Sequence, residues 1–278
     1  PPPPFFFLML RGPPRSTLDR SSAASDVYKR QSMRLDVIQL KEFYRGTELG
    51  RTTKQLINRV LEKKVDTKSG SLTIGFGFAC PFLENKMKDS ENKNFLLLMP
   101  SEQGVIPWPE KSKSVTALVD EVSWPITTST ADLILISHGL EVSDNQDLLL
   151  QETLRVLKDT GKLVILVPNR TGFWARSDLT PFGFGRPYSI SQLSKILVEN
   201  KFKILNTSST LLMPPTKKKM LFNSFKFIDQ ITLKYASKVM GGVLVILAKK
   251  QIHIALSLIH ISEPTRLRRI SYAVFCLK

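Results

Sequence analysis

Only two of the 278 residues are cysteine, Cys80 and Cys276, which excludes a disulfide scaffold. Histidine is almost as scarce, at three residues, and no Cys/His cluster has the ligand spacing of a zinc site. There is no apolar run of 18 residues, so the sequence offers no membrane-spanning helix. No internal repeat is present, which excludes a solenoid. Acidic residues are the minority charge, 24 against 40 lysines and arginines, and the formal +16 keeps a polyanion or an anionic surface among the partner classes. What remains is 42% hydrophobic and 23% charged, the composition of a globular domain able to bury a core. Few thiols and no disulfide framework fit a reducing, cytoplasmic location.

The two ends differ from the middle. Residues 1–31 open on four prolines and a short apolar run at 5–10, with no helical or alternating period after it. A secretory signal would place a basic region before the apolar one and a small-residue cleavage site after it, and the order here is the reverse. Residues 257–278 also lack a sustained period. Both ends are expected to be tails outside a single domain spanning 32–256, and they carry a disproportionate part of the basic excess. The strings SSAASDVYKRQ and SEPTR followed by ISYAVFCLK resemble translated sequencing-adapter sequence.

Within 32–256, Leu49, Leu56, Ile57, Val60 and Leu61 form one stripe at helical spacing, with Thr47 as a cap, so one or two amphipathic helices precede a sheet. SLTIGFGF predicts a first strand running into Gly75 and Gly77, and residues 95–99 a second, stopped by Pro100. Residues 115–119 and 131–137 predict a third and fourth. Ser143 with Gln146 reads as a capping box opening a helix through Leu157, closed by Gly161. KLVILV at 162–167 is the continuous apolar run of a strand buried on both faces. Ser189 with Gln192 caps another helix to about Asn200, and residues 202–205 and 242–248 supply two more strands. Strands alternating with helices predict a doubly wound α/β sheet, whose ligands bind beyond the carboxyl ends of the strands.

Gly75-Phe76-Gly77 after a strand is the feature that lets a ligand approach a tight turn. A dinucleotide fingerprint would add a glycine where Cys80 stands and an acid where Met99-Pro100 ends the second strand, so NAD is disfavoured. The later sequence is more specific: Val119-Asp120-Glu121, Trp124-Pro125, ADLILISHGLE at 131–141, then LLLQETLRVLKDTGKLVILVPN. This order resembles the class I S-adenosylmethionine-dependent methyltransferases. Within them the chain is similar to an uncharacterised bacterial methyltransferase-domain group, through LDVIQLKEFY, LGRTTKQLI, LLLMPSEQGVIPWP and PNRTGFWARSDLTPFGFGRPYS.

That resemblance covers residues 33–254. It implies a Rossmann-like, seven-stranded, mostly parallel sheet with an antiparallel last strand and helices on both faces, and S-adenosylmethionine as cofactor. Carried over, Gly75, Phe76 and Gly77 would meet the methionine moiety. Met99, Pro100 and Glu102 would meet the ribose, and Asp120 and Glu121 the adenine, where a carboxylate accepts from the exocyclic amine. Ser137 and His138 would stand at the methyl-transfer mouth, His138 as a general base or as a histidine merely hydrogen-bonded in a loop. Thr73 replaces the acid common before the first glycine, Ala79 replaces the third glycine, and no carboxylate ends the second strand.

The segment from Asn169 to Tyr188 is too rich in aromatics, glycine and arginine for a plain connector. It reads as a lid over a substrate, with Asn169, Trp174, Arg176, Arg186 and Tyr188 facing the acceptor and the arginines gripping an anionic group; packing of an irregular loop is the alternative. Lys217-Lys218-Lys219 reads as a solvated face before a nucleic-acid patch, and Cys80 as a small core residue. The expected activity is methyl transfer to a small-molecule, anionic acceptor without a metal. The alternative is a noncatalytic methyltransferase-like module binding a protein or nucleic acid through its basic surface, nucleic acid being the less favoured partner.

Overall fold

The computed structural model describes residues 34–64, 70–88, 94–110, 112–216 and 241–251. The expected tails at 1–31 and 257–278 and the lysine run at 217–219 lie outside the described residues.

Helix α1 (Val37–Gly46) begins at Asp36, whose carboxylate accepts from the Ile38 amide while the Gln39 side chain accepts from the Asp36 amide. Helix α2 (Glu48–Glu62) begins at Thr47, whose hydroxyl accepts from the Gly50 amide at 2.9 Å, the cap its pattern predicts. Leu56, Ile57, Val60 and Leu61 are buried and Leu49 packs beside them, so the predicted stripe is the face that meets the sheet. The elbow between the two helices is tight. A Cβ on Gly50 would stand 1.9 Å from the Phe43 carbonyl oxygen, so only glycine lets the chain fold back here.

The sheet contains β1 (Leu72–Gly77), β2 (Asn94–Pro100), β3 (Thr116–Val119), β4 (Ala131–Ser137), β5 (Leu157–Pro168), β6 (Phe202–Thr210) and β7 (Val243–Lys250). Helix α3 (Cys80–Lys88) connects β1 to β2, α4 (Gln146–Val156) precedes β5, and α5 (Ile190–Glu199) precedes β6. The strand order is β3-β2-β1-β4-β5-β7-β6. All neighbours are parallel except β7, which inserts antiparallel between β5 and β6. The expected seven-stranded, mostly parallel sheet with a reversed last strand is therefore the observed one.

Period-2 alternation divides the core into two layers. Along β5, Val164 and Leu166 join the layer under α1, α2 and α3, while Leu163, Ile165 and Val167 join the layer under α4 and α5. Full burial of such side chains stabilises by roughly 1.5–3 kcal/mol each, which is why KLVILV carries no polar residue after its lysine.

Two local expectations are corrected. Asn145, not Ser143, caps α4, its side chain accepting from the Leu148 amide; Ser143 instead donates to Glu121. Gly161 does not close the helix. The chain is already extended at Leu157, and Gly161 lies within β5, where a Cβ would press on Leu157 and the Ala131 carbonyl. The α1–α2 elbow gives a test: Gly50→Ala should destabilise the protein by about 1–3 kcal/mol in urea unfolding, the cost of overpacking. A change within 0.5 kcal/mol, the ordinary range of surface substitutions, would contradict the close crossing.

Candidate functional site

The parallel strands end on one edge, at Gly77, Pro100, Val119, Ser137 and Pro168. The exits of β1 and β4 are locked together. Gly77 has φ +73°, and a Cβ on it would stand 2.4 Å from the Ser137 carbonyl oxygen, which accepts from the Phe78 amide at 2.8 Å. Beyond Ser137 the chain turns through His138 at φ 52°, a left-handed conformation uncommon outside glycine and asparagine.

That turn presents a buried polar chain. His138 Nε2 lies 2.7 Å from the Tyr44 hydroxyl of α1, and His138 Nδ1 lies 3.1 Å from Glu141 Oε1. Nδ1 is thus at ion-pair distance from Glu141, although neither Glu141 oxygen has a hydrogen bond of ordinary geometry among the described residues. Exposures are 2% for Tyr44, 3% for His138 and 1% for Glu141. Burial, then the nearby Glu141 carboxylate, pushes the Tyr44 phenol well above its usual range, so Tyr44 stays protonated. Gln103 fixes the turn from the β2 side, its Nε2 donating to the His138 carbonyl. Phe182, with its ring centroid 4.8 Å from the imidazole, covers it.

A second cluster stands at the exits of β2 and β3. Arg34 forms ion pairs with Glu102 and with Glu121, the latter at 3.1 Å, and donates to the Val142 carbonyl at 2.6 Å. Ser143 donates to Glu121 Oε2 at 2.9 Å. Burial pushes the Glu121 carboxyl up, against the smaller lowering effects of the Ser143 hydrogen bond and the Arg34 charge. Asp120 is exposed and accepts from the Val122 amide.

The residues named from the sequence divide on this geometry. Gly77, Pro100, Glu102, Asp120, Glu121, Ser137 and His138 all lie at the edge. Around the others the space is filled by the protein. Any Cβ on Gly75 would meet Leu83, Leu97 and Ala79, so this glycine serves the packing of α3 on β1. Phe76 stacks on Trp124 in the core, and Met99 is buried with its sulfur against the Ile106 amide. Asn169 donates to the Gly241 carbonyl and accepts from Thr171, pinning the exit of β5. Trp174 donates to the Met213 carbonyl and fills the space beside Gly242. Tyr188 is buried and donates to the Leu140 carbonyl.

The segment between β5 and α5 does lie at this edge. Phe182 covers His138, and the Arg186 amide donates to the Glu141 carbonyl at 2.7 Å. The side chains of Arg176 and Arg186, however, are exposed, so they give no support to an anionic acceptor. Arg34, Tyr44, Gln103 and Glu141 were not singled out from the sequence, and Ser143 was read only as a helix cap. For Glu141 a signal existed, a carboxylate three residues after a histidine at a strand exit.

No protein-family model matches the chain, and no curated protein sequence matches it. Solved structures do. A Thermotoga maritima SAM-dependent methyltransferase, described as a possible histamine N-methyltransferase, is 15% identical over 76% of this chain and 95% of its own, with a TM-score of 0.56. SAM-dependent methyltransferases of Archaeoglobus fulgidus and Aquifex aeolicus are 17% and 14% identical, cover 77% and 79% of this chain and 99% and 100% of their own, and each give a TM-score of 0.51. The chain therefore has the fold of SAM-dependent methyltransferases. Among the described residues no helix is long and apolar enough to cross a membrane, and no cluster of His, Cys, Asp and Glu could hold a metal ion.

The Arg34 cluster gives a test. Arg34→Gln removes a lowering influence on Glu121, so the Glu121 carboxyl midpoint, followed by carbon-13 NMR, should rise further above the usual carboxylate range. An unchanged or lower midpoint would contradict the ion pair.

Proposed function

We propose that the protein transfers a methyl group from S-adenosylmethionine to a small-molecule acceptor at the carboxyl edge of the sheet. The observation that carries this reading is the strand order with its reversed β7, combined with acids at the exits of β2 and β3, the two places where a nucleoside meets such a sheet. The donor chemistry fits. Glu102 and Glu121 are acceptors that here share one guanidinium, and Ser137 Oγ, fully buried at the exit of β4, has no hydrogen-bond partner among the described residues.

In this reading Glu102 accepts from the ribose hydroxyls, and Asp120 or Glu121 from the adenine amine, as the ligand's donors replace those of Arg34. The two glycines act through the backbone: Gly75 and Gly77 let α3 and β4 close on β1, which brings Ser137 and His138 to the mouth. When bound, the cofactor supplies an electrophilic methyl on a sulfonium. The protein holds the acceptor in line with it, the contribution proximity makes to a bimolecular displacement. Phe78 and Phe182, both buried, keep water from the mouth.

Calorimetric titration with S-adenosylhomocysteine, the demethylated product, tests this. The parent should bind, and Glu102→Gln and Glu121→Gln should each weaken binding by roughly 10- to 100-fold, the effect of losing a hydrogen bond to a charged group. No binding by the parent, or full affinity in both variants, would contradict it.

A further inference from the structure

We infer that the reacting group of the acceptor is an amine, received by Glu141; this rests on the methyl-transfer reading above. The mouth beside His138 contains a void of about 10 Å³, lined by Gln103, His138, Glu141, Leu35, Leu40 and Phe184 among others. That is room for about one water-sized group. The unsatisfied polar atoms of its lining are of one kind. Oε2 of Glu141 and Oε1 of Gln103 are buried and lack a hydrogen-bond donor among the described residues, and Oε1 of Glu141 has only His138 Nδ1 beside it, at 3.1 Å. The Gln103 amide cannot be reversed, because its nitrogen is the group that donates to the His138 carbonyl. The void therefore has more acceptors than donors, and its carboxylate is 1% exposed.

A buried carboxylate with only the His138 ring beside it at 3.1 Å needs further donors or a positive charge. A carboxylate or phosphate ligand would add acceptors and repulsion. A hydroxyl brings one donor. A primary ammonium brings three and the compensating charge.

The chemistry then balances. An ammonium nitrogen gives one proton to a Glu141 oxygen, and its freed lone pair attacks the sulfonium methyl. The N–C bond forms as the C–S bond breaks, and the departing pair stays on sulfur. Glu141 is the catalytic residue of this step, since it touches the acceptor. His138 and Tyr44 are positioning residues: the Tyr44 hydroxyl holds Nε2 at 2.7 Å, which turns the Nδ1 edge of the ring toward Glu141. The segment after β5 closes the place from above, through Phe184 and the Arg186 amide on the Glu141 carbonyl.

The test uses the full chain with the His138 ring nitrogens followed by nitrogen-15 NMR, in the presence of S-adenosylhomocysteine, while n-butylamine, n-butanol or butyrate is titrated. The amine should move the His138 signals in a saturable way and the other two should not. In Glu141→Gln, which keeps the shape and removes the charge, the amine effect should weaken at least tenfold. Tyr44→Phe should shift the His138 Nε2 signal while leaving the preference for amine over butyrate. A response to butyrate or butanol equal to that of the amine in the parent would overturn the proposal whether or not the variants fold, and so would an amine response unchanged in a folded Glu141→Gln. Calorimetry of the parent with S-adenosylhomocysteine separates the two readings. Failure there rejects methyl transfer, whereas binding there with no amine response rejects only the amine.

Discussion

One backbone contact, the Phe78 amide donating to the Ser137 carbonyl at 2.8 Å, sets the geometry of the whole carboxyl edge. It requires Gly77 in a left-handed conformation, because a side chain there would collide with the same carbonyl. With the exits of β1 and β4 fixed to each other, the chain after Ser137 has only a sharp way out, and His138 takes the left-handed conformation that aims its ring at α1. The polar chain from Tyr44 to Glu141 follows from that turn. So does the Gln103 contact, which ties in the exit of β2.

The N-terminal segment completes the edge from the other side. Its helix buries Val37, Leu40, Phe43 and Tyr44 against the core, and the Val37 amide donates to the Gln103 carbonyl. This anchorage places Arg34 between the acids at the exits of β2 and β3 and Tyr44 against His138. The same short stretch thus reaches both halves of the edge, the acids suited to a nucleoside and the acceptor-rich void. Both halves consist of buried or half-buried polar groups, whose interactions are stronger than at an open surface because little water screens them.

Much of the fold was legible in the sequence because central strands obey a strong constraint. ADLILIS is buried on both faces, and β4 spans the residues its apolar run marks, Ala131–Ser137. What local pattern could not decide was competition between neighbours. Ser143 and Asn145 both suit a helix cap, and Asn145 takes the role because Glu121, 22 residues earlier in the chain, engages Ser143. The acids at 102, 120 and 121 were named through the family resemblance, helped by the place of the last two at a strand end, and they lie at the edge. The aromatic and amide residues at 169, 174 and 188 were expected to face a ligand, yet each has a backbone carbonyl to satisfy, which sequence cannot reveal. For Tyr44 and Arg34 the helical pattern tells which face is buried but not what stands opposite. That partner is set by tertiary packing alone.

For methyl transfer this edge would hold a sulfonium nucleoside between the acids of one half and the His138 turn of the other. A crystal structure of the protein with S-adenosylhomocysteine measures it most directly. The adenine amine is expected within hydrogen-bond reach of Asp120 or Glu121, the ribose hydroxyls on Glu102, and the thioether sulfur beside Ser137 and His138. Ligand bound away from this edge, or at it with Arg34 still joined to both acids, would contradict the account.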